Sequence, residues 1–178
     1  GSERLVLSGN TLSRNYAATV ELAEEILLEP RWDVEEFELI KRRTISQIRQ
    51  QMADPNAIAE NVYNELIYGN DDIRSRNVQG SVESVTSISL DDLKGFYYEN
   101  ISPSVSRMHI VGAKDRTSVL RSLQSINERW KARVVDIPTL AAPVPPARSK
   151  VYFYDVPDAK QSVLRIGSPA LTATSKDF

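Results

Sequence analysis

Apolar residues recur along the first 130 positions mostly with the period of a helix, and along the last 30 with the texture of a strand. Tyr16, Val20, Ala23 and Leu27 fall at i, i+4, i+7 and i+11, which predicts a helix over Ser13 to Glu29. Ser13 offers a hydroxyl as N-cap, and Pro30 ends the element because its ring disfavours helical geometry at Glu29. A second helix is expected from Val34 to about Met52, with Asp33 as cap and Glu36 three residues on. Trp32 and Phe37 have the spacing of a hydrophobic staple across that cap. Phe37, Ile40, Thr44 and Gln47 share one face of it, and Val34, Ile45, Ile48 and Met52 a neighbouring face. Lys41, Arg42, Arg43 and Arg49 form a basic stripe that is most simply a solvated face balanced by Glu35, Glu36 and Glu38. A third helix opens on Asp54-Pro55, where the missing proline N–H costs nothing, and closes at Gly69.

A polar connection, Asn70 to Ser87, is long for a compact domain. Ser89 and Asp92 then start a helix over Leu90 to Glu99, and Arg116 to Trp130 predicts another. Between them Val105 to Val111 is expected as a strand. Val151-Tyr152-Phe153-Tyr154 and Ser162-Val163-Leu164-Arg165-Ile166 are expected as two more. Pro138, Pro143, Pro145 and Pro146 stiffen the segment before these last strands into a linker. The expected organisation is therefore a domain over residues 1–135, a linker over 136–149, and the first strands of a following domain over 150–178.

Composition removes many functions. The 178 residues carry 22 Lys+Arg against 24 Asp+Glu, a formal charge of −2, which argues against a dedicated nucleic-acid binder. No apolar run reaches the roughly 18 residues of a membrane span. There is no cysteine, hence no disulfide, thiolate zinc site or cysteine nucleophile. The one histidine, His109, has no serine, cysteine or second histidine placed beside it, and it is most simply a half-exposed strand residue. Neither Asp71-Asp72 nor Asp91-Asp92 has the alternating ligands and central glycine of a calcium loop. No phosphate-binding glycine pattern follows Gly112 or Gly167. Tyr97-Tyr98 and Tyr152 with Tyr154 are more economically packing residues than a base-stacking platform. Gly1-Ser2 without an initiator Met reads as a cloning scar, and Thr174 to Phe178 stops without a cap, so both ends suggest a piece of a longer protein whose compartment is not encoded here.

The order of elements carries more than any one residue. Asn15–Arg31 is followed by Trp32-Asp33-Val34-Glu35-Glu36-Phe37, then by Asp54-Pro55 and Leu66-Ile67-Tyr68-Gly69. Gly80-Ser81-Val82-Glu83-Ser84-Val85, Ser89-Leu90-Asp91-Asp92-Leu93, Phe96-Tyr97, Ser102-Pro103 and His109-Ile110-Val111-Gly112 complete the series. This succession, over roughly residues 5–135, resembles the insulinase/pitrilysin family of zinc metallopeptidases, which includes the mitochondrial processing peptidases. The resemblance implies an α+β fold, with helices packed on one face of a mostly antiparallel sheet, residues 1–135 forming the C-terminal part of one such domain, and the unit repeated as two halves that close around a peptide. Active halves of that family carry an inverted H-x-x-E-H zinc motif and a distant Glu ligand. The motif is absent here, and the distant ligand position falls on Gln47, a neutral amide. The resemblance therefore implies a non-catalytic portion with no catalytic, cofactor or metal residue of its own. Zinc would sit in a catalytic half of the same protein or of a partner subunit, and the partners would be that half and the peptide substrate. The alternative is an assembly or interaction subunit with the same fold and no peptidase partner. Unpaired strand edges near 151–167 also predict a homodimer of this chain.

Overall fold

The computed structural model describes residues 4–144, 147–171 and 175–176; the Gly1-Ser2 start, Pro145-Pro146 of the expected linker, and Thr174 and Asp177-Phe178 at the end lie outside them. The ordered elements are helical: α1 (Tyr16–Leu28), α2 (Val34–Gln51), α3 (Pro55–Tyr68), α4 (Val82–Ser87), α5 (Leu90–Asn100), α6 (Arg116–Ser122) and α7 (Gln124–Arg129). No helix among the described residues is long and apolar enough to cross a membrane. The chain divides into two compact units, Gly1–Phe37 with Ser89–Pro138, and Glu38–Ile88 with Thr139–Phe178.

The expected α+β fold is corrected by this architecture: the described residues contain no strand and no sheet. Pro103–Val105 forms a 3₁₀ turn, and residues 106–110 run on without ladder pairing. Between the two later candidates the chain turns, with Asp158 at φ +62° and the Ala159 N–H donating to Val156 O at 3.2 Å. Its flanks, 151–156 and 162–166, nevertheless stay unpaired. Valine-rich sequence sets a local preference for extended backbone, but a strand exists only when a second segment meets its N–H and C=O groups. The apolar side chains of these segments stay in solvent, with Val111 at 100%, Phe153 at 91% and Ile166 at 87% exposure.

Start and stop signals hold up better. Asp33 Oδ1 accepts from the Glu36 N–H at 2.9 Å, and Asp54 Oδ1 from the Asn56 N–H at 2.9 Å with Pro55 first in α3. Gly69 ends α3 at φ +83°, a conformation that other residues adopt only with strain. Ser13 does not cap α1; it opens a 3₁₀ turn, Ser13–Asn15, that leads into Tyr16. The single helix expected over Arg116–Trp130 is broken at Leu123. There Ser122 Oγ donates to Val119 O at 2.7 Å, a side-chain bond that competes with the helical ladder. The polar connection 70–87 contains a 3₁₀ turn, Ile73–Ser75, and α4, which carries a reciprocal Ser81–Ser84 capping box.

In the first unit, Ile126 is buried together with two polar residues. Glu24 Oε1 accepts from Ser125 Oγ at 2.6 Å and from Arg129 Nη1 at 2.7 Å, while Arg129 Nη2 reaches Glu29. These carboxylates raise the Arg129 pKa above its ordinary value, Glu29 the more. Ser102, at 1% exposure, is the hub of the Pro103 turn: its Oγ accepts from the Arg133 N–H and bonds Arg133 O, each at 2.9 Å. Trp32, held at φ +51°, packs edge-on against Tyr97 at 5.3 Å, and Tyr97 packs edge-on against Tyr98 at 5.2 Å. The Tyr97 hydroxyl donates to Leu27 O at the open end of α1. Burial pushes the Tyr97 phenol pKa up.

In the second unit, Ile48 and Val85 are buried. Lys41 Nζ donates to Ile88 O at 2.7 Å. Arg74 lies 4.7 Å over the Tyr68 ring, makes two bonds to the Asp72 carboxylate (2.9 and 2.6 Å) and donates to Ala141 O at 2.6 Å. Gly167 meets the Tyr63 hydroxyl on α3, where a Cβ would collide, and Arg165 lies 3.7 Å from Glu60.

Ser102→Ala is expected to strand the Arg133 N–H and to lower stability by about 1–3 kcal/mol in urea unfolding; an unchanged midpoint would refute the hub. The Arg74 side chain and then the Arg74 N–H hold the Asp72 carboxyl at about 2, below its ordinary 3.8. A lowered folded pKa stabilises above pH 3.8, and that stabilisation is lost as the pH falls through about 2. Urea midpoints of Asp72→Asn should therefore lie below those of the parent chain above pH 3.8 and converge on them toward pH 2.

Candidate functional site

The second unit contains a cleft of about 650 Å³ built largely from carboxamides: Gln47, Gln50 and Gln51 from α2, Ala53 and Asp54 from the following turn, and Gln79 from the loop before α4. Gln47, Gln50 and Gln51 stand at i, i+3 and i+4, which puts them on one face of the helix. The chain then turns sharply, with the Ala53 and Asp54 N–H groups donating to Gln50 O and Gln51 O at 3.1 Å each. Asp54 closes this end of the cleft, its carboxylate engaged by the α3 cap.

Asn77 connects the two walls. Its Nδ2 donates to Gln51 Oε1 at 3.1 Å, and its Oδ1 accepts from the Gln79 N–H at 2.9 Å. Gly80, at φ +80°, completes the turn with its N–H on Asn77 O at 2.8 Å. A Cβ there would stand 2.7 Å from Ser84 Oγ, so side-chain bulk is excluded where the loop enters α4. Gln79 Oε1 is buried and accepts no hydrogen bond among the described residues. The side-chain amides of Gln47 and Gln50 are exposed and likewise have no partner among them. The lining is thus neutral apart from Asp54, and it is rich in both donors and acceptors.

The other residues with chemical promise lie elsewhere. His109 is exposed on the unpaired stretch 106–110. Asp72 is held by Arg74, Asp91 by Lys94 at 3.0 Å, and Asp92 caps α5 in a reciprocal box with Ser89. Bonds from the Ser89 hydroxyl and then the Ser89 N–H lower the Asp92 pKa. Tyr97 and Tyr98 belong to the aromatic cluster, and Tyr152 and Tyr154 are exposed. Among the described residues no group of three His, Cys, Asp or Glu side chains is placed to hold a metal ion. Of the cleft residues, the sequence singles out Gln47 as a site position and Asp54 as a helix start. The Gln50-Gln51 pair carried a signal in its helical spacing, whereas Gln79 and Asn77 arrive through a loop whose path no periodicity encodes.

No family model matches the chain, and no curated protein matches it. Among solved structures it is similar to the crystal structure of a peptidase M16 inactive domain from Pseudomonas fluorescens, with a TM-score of 0.66 and 16% sequence identity. The similarity covers 75% of this chain and 32% of that one, so the chain spans about a third of the length of the structure it matches. At this identity the likeness is one of fold, and the fold it supports is M16-like, the insulinase type.

Asn77→Ala should disconnect Gln79 from α2, lowering stability by about 1–2 kcal/mol for its two bonds. It should also speed hydrogen exchange at the Gln79 N–H. Unaltered exchange at that amide would show that Asn77 does not hold the loop.

Proposed function

We propose that this chain is a non-catalytic, M16-like portion of an insulinase-type metallopeptidase, one that encloses a peptide substrate and packs against a zinc-bearing half. The observation that carries the reading is the structural likeness to an M16 inactive domain at a TM-score of 0.66. The cleft supports it. Gln47, the residue on which the resemblance puts the family's distant carboxylate ligand, lies among amides able to pair with peptide groups.

The donor set does not fit a zinc ion. Gln47, Gln50, Gln51 and Gln79 bring no charge to offset a dication, and the carboxylate of Asp54 already caps α3. No hydrolytic step is therefore assigned to these residues. The parent protein would hydrolyse peptides through a metal-activated water held elsewhere. The division of the chain into a domain over 1–135, a linker and the opening strands of a next domain belongs to this proposal only in its boundaries, since the described residues form no strand. Exposed apolar side chains in each unit, Val111 in the first and Phe153 and Ile166 in the second, fit units that a larger assembly covers.

The test is to titrate the chain into a labelled, unstructured peptide of mixed composition, with and without added Zn²⁺. Saturable binding, read by fluorescence anisotropy, is expected without cleavage. Turnover abolished by a chelator would overturn the non-catalytic reading, and absence of binding would overturn the enclosing role in favour of a pure assembly subunit.

A further inference from the structure

We infer that the glutamine-lined cleft is a recognition site for the uncharged carboxamide side chain of a glutamine or asparagine in a bound peptide. The inference rests on the peptide-enclosing reading and deepens it.

Three observations converge. The cleft, about 650 Å³, is open to solvent and wide enough to admit one polar side chain of a peptide. Its lining lacks the large apolar and aromatic side chains that would anchor a hydrophobic ligand, and its one charged residue is acidic, so a carboxylate ligand would be repelled. What remains is hydrogen bonding to a neutral group. Gln47 and Gln50 expose amides that make no bond to the described residues, and Gln79 on the neighbouring loop holds a buried oxygen that accepts none from them.

An unpartnered buried carbonyl oxygen is unfavourable, and Gln79 has a ready way to relieve it. The torsion that carries its terminal amide is broad, so the group can swing toward the cleft to meet an incoming N–H. A primary carboxamide brings two N–H donors and a two-site acceptor on one carbon. It can therefore give one N–H to Gln79 Oε1 while pairing its other N–H and its oxygen with Gln47 and Gln50. A backbone amide has one N–H, and its C=O points the opposite way, so it can donate only once and cannot close the paired N–H and C=O bonds that a primary carboxamide makes with a glutamine amide. The Asn77 bonds to Gln51 and to the Gln79 N–H hold those walls before the ligand arrives, which reduces the ordering cost of binding.

The experiment uses the ¹⁵N-labelled chain and three blocked peptides, Ac-Gly-X-Gly-NHMe with X as Gln, Glu or Ala. The methylamide cap removes any primary carboxamide other than the side chain. The Gln peptide should shift the side-chain amide resonances of Gln47, Gln50 and Gln79 saturably. It should bind at least about fivefold more tightly than the Ala peptide, the worth of roughly one net hydrogen bond. The Glu peptide should bind more weakly than Ala. Gln79→Met supplies an independent arm: removal of the unsatisfied oxygen should raise the thermal midpoint yet weaken the Gln peptide about fivefold. A purely structural Gln79 would change stability alone, and that result overturns the inference. Equal binding of Gln and Ala peptides would assign the contact to backbone amides and also overturn it. Binding with shifts confined to residues outside the cleft would sink the carboxamide site while leaving the peptide-enclosing reading intact. No binding by any of the three peptides sinks the site, and the mixed-composition peptide then decides the broader reading by itself.

Discussion

Carbonyl groups that the helices leave unpaired at their ends are what the side chains of this molecule grip. The last turn of a helix exposes C=O groups that the helix cannot satisfy. Tyr97 reaches Leu27 O near the end of α1, and Lys41 reaches Ile88 O just after α4. The same device holds irregular backbone: Arg74 grips Ala141 O, and Ser102 takes both the N–H and the C=O of Arg133. Each of these bonds joins residues more than 30 apart. Tertiary order in each unit is thus carried to an unusual degree by polar side chains meeting backbone, since the buried apolar side chains are as few as Ile48, Val85 and Ile126 among the described residues.

That economy follows from how the apolar residues are distributed. Many of the larger ones sit in stretches whose sequence favours extended backbone, 105–111, 151–154 and 162–166. A helix satisfies its own backbone and can present one apolar stripe, whereas an extended segment must find a neighbour before it buries anything. Where the neighbour is missing, apolar content produces exposure, as at Val151 and Leu164. Segment 162–167 shows the intermediate case, in which one glycine against Tyr63 and one arginine near Glu60 set it along α3 without a ladder.

Legibility from sequence tracks the range of the interaction. Asp33, Asp54, Ser89 and Gly69 act within a few residues of themselves, and each cap stands where the sequence puts it. The break at Leu123 is also local, but it turns on a serine hydroxyl that can face either solvent or the turn behind it, and composition does not choose between those. The expected sheet fails because pairing is a property of two segments and the sequence signal reports only one. The cleft divides along the same line. Gln47 with Gln50 and Gln51 is visible as a helical face, while Gln79 depends on the turn that Asn77 and Gly80 make together.

A carboxamide and a carboxylate have nearly the same shape but suit different ligands. A dication needs anionic or imidazole donors, and replacing one oxygen anion with an amide removes the charge while keeping the shape. The same replacement opens a different use, because an amide donates as well as accepts and can pair with a ligand as neutral as itself. One such residue would be a loss of function. Four around a single cleft, with one buried oxygen that accepts no bond among the described residues, form a lining that is neutral apart from Asp54 and offers both donors and acceptors. In the proposed site the same neutral amides that cannot offset a dication are suited to a neutral ligand.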